Sequence, residues 1–180
     1  VRRQKLSFEC RFLHIVAEHA QRHSGLNLAY MDGMKKPAIM HRISIRTEPW
    51  VTYLALTQPR HLSKWWSADS TVQPFVGGKL ELGSKPHACS VVVEKLSPGE
   101  LIEWKIVDPH GSDKGHDDCD GTRVRFEIER NKRGGTDVAF SHQGWNAQSS
   151  CFQRWSHTWA RLATKSLKSY LETGVGQPAY

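Results

Sequence analysis

Several absences narrow the reading of this 180-residue chain before any motif is considered. No apolar run approaches the roughly 20 residues that a membrane-crossing helix needs, so membrane insertion is not expected. The N-terminal stretch is interrupted by Arg11, His14, Glu18 and His19, so it lacks the apolar centre of a signal peptide, and a cytoplasmic location is the expectation. Cysteine is sparse. Cys10, Cys89, Cys119 and Cys151 lie far apart with no C-x-x-C pair, which suits reduced thiols and supplies neither a disulfide framework nor a structural zinc site. The net charge is +7, yet the basic residues are scattered and accompany no nucleic-acid reader motif, so they read as a solvated surface and no nucleic-acid partner is expected. His110, His116, Asp117, Asp118, Cys119 and Asp120 match no zinc or calcium spacing, so neither a metal nor a cofactor is expected.

What is present is the 38% hydrophobic, 24% charged balance of one globular domain with enough chain to bury a core. Residues 1–33 stand apart. Leu6, Cys10, Leu13, Val16, Ala17 and Ala20 recur at helical spacing, and Met34 makes a natural start for a compact domain over 34–180. The segment reads as an extension: a packed extra helix, a partner-binding arm or a misassigned translation start. Beyond it, Ile43 and Ile45 alternate with Arg42, Ser44 and Arg46 as a half-buried strand. Thr47 is placed to cap a helix with Pro49 in its first turn, and Gln58-Pro59 ends that helix before a second short one, "RHLSKWW".

Gly77-Gly78 then opens a series of strands over 79–83, 88–96, 101–107, 122–130 and 136–142, with "SPGE" and "NKRGG" as hairpin turns. Ile102, Trp104 and Ile106 form one inward set, Val124, Phe126 and Ile128 another, and Val138, Phe140 and His142 a third. A long helix from about Ser149 to Thr173 carries Phe152, Trp155, Trp159, Leu162, Ser166 and Tyr170 as one stripe, and Gly174 ends it. The fold class is therefore α+β: a curved antiparallel sheet, two short helices after the first strand, and one long helix covering the apolar face.

"LSKWW" (62–66), "GGKLEL" (77–82), "LIEWKI" (101–106), "GTRVRFEI" (121–128), "SHQGW" (141–145) and "SLKSYLETGVGQP" (166–178) occur in this order. The set, spread over about 39–178, resembles the SRPBCC (START-like) superfamily, in the branch related to the activator of 90-kDa heat-shock protein ATPase homologue 1. The resemblance implies a helix-grip fold with a deep cavity under the long helix. It also implies a range of roles: members bind lipids, polyketides and other hydrophobic molecules, and a minority are cyclases. Many relatives carry Trp-x-Gly-Thr where this chain has Cys119-Asp120-Gly121-Thr122, so a wider or more polar mouth is expected beside the long acidic loop 108–120.

His142 is the candidate polar group of the interior. The plain reading is a core histidine bonded to its neighbours. The functional reading is a donor that orients a ligand, while general acid or base work would need a tuning partner that the sequence does not name. Cys151 and His157, six residues apart at about 100° each, lie about 240° apart on a helix and do not form a thiolate–imidazole pair. The expected function is binding of a small hydrophobic or aromatic molecule by Trp65, Trp66, Trp104, Phe126, Phe140, His142, Trp145, Phe152, Trp155 and Trp159, with no catalytic residue. The alternatives are a co-chaperone-like or stress-related module that binds a chaperone or other protein, and, behind it, a polyketide cyclase-type enzyme.

Overall fold

The structure, a computed structural model, describes residues 37–82, 89–107, 119–146, 148, 149 and 151–178. The helix expected over residues 6–20, with the extension that holds it, lies outside them. So does loop 108–118, with His110, His116, Asp117 and Asp118.

Strand β1 (Ile39–Ile45) leads into α1 (Pro49–Thr57) and α2 (Pro59–Trp65). Six strands follow: β2 (Thr71–Val72), β3 (Lys79–Leu82), β4 (Cys89–Ser97), β5 (Leu101–Val107), β6 (Arg123–Arg130) and β7 (Thr136–Gln143). All seven join one antiparallel sheet in the order β1-β7-β6-β5-β4-β3-β2, so the first strand returns to pair with the last. Strict alternation places Ile39, His41, Ile43 and Ile45 inward on β1, and Val124, Phe126 and Ile128 inward on β6. Inward residues then meet across strands: Ile102 faces Phe126, Trp104 faces Val124, Phe126 faces Phe140 and Val124 faces His142. A register shift between Val93 and Lys95 leaves Glu94 as a bulge, which bends β4 around the core. Arg123 holds the bulged carboxylate with two bonds of 2.7 and 3.0 Å.

The long helix crosses this concave face as α3 (Phe152–Arg161), a π-helical segment (Leu162–Leu167) and α4 (Lys168–Thr173). Trp159, Leu162, Ala163 and Leu167 are its buried face, and Gly174, at φ 80°, supplies the left-handed turn that ends it. The Ser166 hydroxyl of the π-helical segment donates to the Trp65 carbonyl (2.7 Å), fixing the helix to α2.

Two local expectations are corrected, and one strand was not foreseen. The residue ahead of α1 is Glu48, extended and without a side-chain cap bond, while Thr47 gives its carbonyl to the Thr136 hydroxyl (2.6 Å). Helical conformation in α3 starts at Phe152 rather than near Ser149. The two-residue β2 has no counterpart in the periodicity, because a strand that short is held by its pairing with Leu80 and Glu81 and not by a pattern of its own.

Candidate functional site

The helix begins at the end of the sheet where β7 finishes, so the last inward residue of β7 and the first turns of the helix share one corner. Gly144, at φ 93°, makes the bend between them. A Cβ there would sit 3.3 Å from the Thr122 Cα, a tight approach, and side chains rarely adopt this φ, so glycine suits the bend. The bend drops Trp145 into the core, where its indole N–H donates to the His142 carbonyl (3.1 Å).

His142 is fully buried and engaged at both ring nitrogens. The Trp159 indole N–H can only donate, and it reaches Nδ1 at 3.0 Å. Nδ1 is therefore the bare nitrogen and Nε2 carries the hydrogen, which points to the Thr122 hydroxyl at 2.8 Å. That hydroxyl passes its own hydrogen to the Cys119 carbonyl at 2.5 Å. The result is a one-way chain of bonds from the long helix, through the sheet, to the segment ahead of β6. Burial pushes the His142 pKa down to about 3, which keeps the ring neutral. In this arrangement His142 offers no free lone pair to a substrate.

Around it the other sequence candidates converge. Trp66 packs edge-on to Trp159 (ring centroids 4.7 Å) and Trp104 (6.4 Å), and Trp104 packs on Phe126 (5.1 Å). Phe126 packs on Phe140 (5.2 Å), which returns to Trp159 (4.4 Å). Trp65 is buried behind Trp66, its indole N–H bonded to the Ala55 carbonyl (2.9 Å). Phe152 and Trp155 are half-buried on the outer turns of the helix. Phe152 lies edge-on to Trp145 (5.6 Å), and Trp155 stands over His142 (5.6 Å) and beside Trp159 (6.0 Å). Cys151 is buried at the helix start and accepts a bond from Arg154 (3.3 Å), whereas His157 is exposed.

Two residues of this interior were not singled out from the sequence, although a signal was present for each. Thr122 shares the parity of Val124 and Phe126, and His41, stacked on Phe140 (5.8 Å), shares that of Ile43. Among the described residues no Asp, Glu, Lys or Arg is buried. Burial, with Cys119 and Glu81 nearby, pushes the Cys89 thiol up and keeps it protonated. The described interior is thus aromatic and uncharged.

The family model for the Activator of Hsp90 ATPase homolog 1-like protein matches residues 46–172, most of the chain. The chain belongs to this family. Among solved structures, the chain is similar to the Aha1 dimer of Colwellia psychrerythraea, with 29% identity and a TM-score of 0.68, over 77% of this chain and 98% of that one. An Hsp90 activator from Plasmodium falciparum (18% identity, TM-score 0.58, 69% of this chain and 89% of that one) shares the fold. So does CalU16 from Micromonospora echinospora (14%, 0.57, 77% and 78%). No curated protein sequence matches the chain. Membership and the shared fold establish the helix-grip architecture and support a ligand-binding or co-chaperone-like domain. No described helix is long and apolar enough to cross a membrane.

Proposed function

We propose that this domain binds a small hydrophobic or aromatic molecule between the sheet and the first turns of the long helix. The observation that carries the reading is a division of the aromatic wall into tied and untied rings. The indoles of Trp65, Trp145 and Trp159 are each fixed by a hydrogen bond. Phe152 and Trp155, which cover that wall, are half-buried and form no side-chain hydrogen bond. Swinging one of them outward costs packing but no polar contact, and a guest that takes its place recovers apolar burial at about 25 cal/mol per Å².

A screen of neutral aromatic and lipid-like molecules, followed by tryptophan emission, tests the reading. A saturable change is expected, with affinity altered several-fold by Trp155→Ala. A flat response across the set would overturn it. A second reading, a co-chaperone-like module, is favoured by the family description and by Trp50, Val51, Phe75 and Val76, which stand exposed. It predicts instead that a chaperone partner is captured and that Trp50→Ser weakens the capture.

A further inference from the structure

Eight serine and threonine residues of the described chain are buried, and seven of their hydroxyls are engaged. Thr52 and Thr57 donate to carbonyls one turn back, Thr136 to Thr47 and Ser166 to Trp65. Thr122 joins His142 to Cys119, Ser90 donates to Glu81, and Ser141 accepts from Gln143. Ser67 is the exception: it is fully buried and its Oγ has no partner. It follows directly on Trp66, whose ring lies on Trp104 and Trp159. The same turn, closed by the Ser70 N–H on the Ser67 carbonyl (3.2 Å), carries a second shielded hydroxyl without a partner, that of Ser70. A buried hydroxyl left unpaired costs about 1–3 kcal/mol, so two in the one turn that follows Trp66 call for a missing polar atom.

Resting on the binding role proposed above, we infer that the guest is an uncharged aromatic molecule bearing a hydroxyl or carbonyl oxygen, and that Ser67 Oγ bonds that oxygen. The wall supplies flat apolar contact but no buried Asp, Glu, Lys or Arg, so a carboxylate, phosphate or ammonium brought inside would be desolvated without a counter-charge. A phenol or ketone costs far less to desolvate, and its single oxygen fits what Ser67 lacks.

The test is a ligand-observed NMR titration at neutral pH with naphthalene, 2-naphthol and 2-naphthoate, on the full chain and on Ser67→Ala. The expected result is that 2-naphthol binds about three- to tenfold tighter than naphthalene, the worth of one net hydrogen bond. 2-Naphthoate should bind weakest, and Ser67→Ala should erase the advantage of the phenol while leaving naphthalene unchanged. Tightest binding by 2-naphthoate, or a phenol advantage that survives in Ser67→Ala, would overturn the inference and leave the binding role standing. Binding by none of the three would also overturn the inference, and only a flat response in the wider screen of aromatic and lipid-like molecules would remove the binding role itself. The thermal midpoint of ligand-free Ser67→Ala is a further check. It should equal or exceed that of the parent, and a fall of several degrees would mean that the hydroxyl serves the fold rather than a guest.

Discussion

His142 shows how one buried residue ties chemistry to stability. Its ring is neutral because protonation would place a charge in an aromatic interior and force Nδ1 to give up the Trp159 donor. In the unfolded chain the same ring titrates at its ordinary value of 6.5, while in the fold it titrates near 3. Between these values the unfolded chain holds more protons, so stability falls as pH drops from about 6.5 towards about 3 and levels off below. The contribution is on the order of a few kcal/mol. Urea midpoints from pH 7 to pH 4 should therefore decline more steeply in the parent than in His142→Gln. Equal slopes would show that the ring gains its proton without leaving its site. The rotatable rings Phe152 and Trp155 belong to the same corner but contribute differently, through apolar cover that can be withdrawn.

Among the elements, β1 is an edge strand of the described sheet, and the long helix holds the end of that strand. Glu172 accepts the Arg46 backbone N–H (2.9 Å) and pairs with the Arg46 guanidinium (3.3 Å), while Lys168 donates to the Ser44 carbonyl. The Arg46 amide holds the Glu172 carboxyl below its usual range. Blocking an edge in this way limits strand-to-strand association. Glu172→Ala should change stability by only about 1 kcal/mol or less, yet amide exchange at Arg46 should quicken at least tenfold, measured by hydrogen exchange. Unchanged exchange there would mean that the carboxylate does not guard the edge. Much of the element plan was legible in the sequence, because β1 and β6 alternate strictly and β5 and β7 keep one apolar inward set each. The inward place of His142 follows from the same parity. The π-helical segment and β2 were not legible. The first is tied through Ser166 to the Trp65 carbonyl, far away in the chain, and the second is held by its partner strand. Ser67 gave no signal either, since a turn residue has no periodicity to mark it as buried.

At the scale of the whole molecule, the sheet, α2 and the long helix form one box whose walls are aromatic and whose described interior is uncharged. The exposed Trp50 sits on α1, next to the β4–β5 turn, where a Cβ on Gly99 would lie 3.8 Å from its ring. The helix start lies at the opposite end, beside the close of β7. Trp50 of the second reading and the helix start of the first therefore lie at opposite ends of the fold, and the indole N–H signals of the seven tryptophans distinguish them residue by residue. The most direct measurement follows those signals by NMR as 2-naphthol is added. The account predicts saturable shifts at Trp145, Trp155 and Trp159, with Trp50 unmoved. Shifts confined to Trp50, or no shifts at saturating probe, would contradict it.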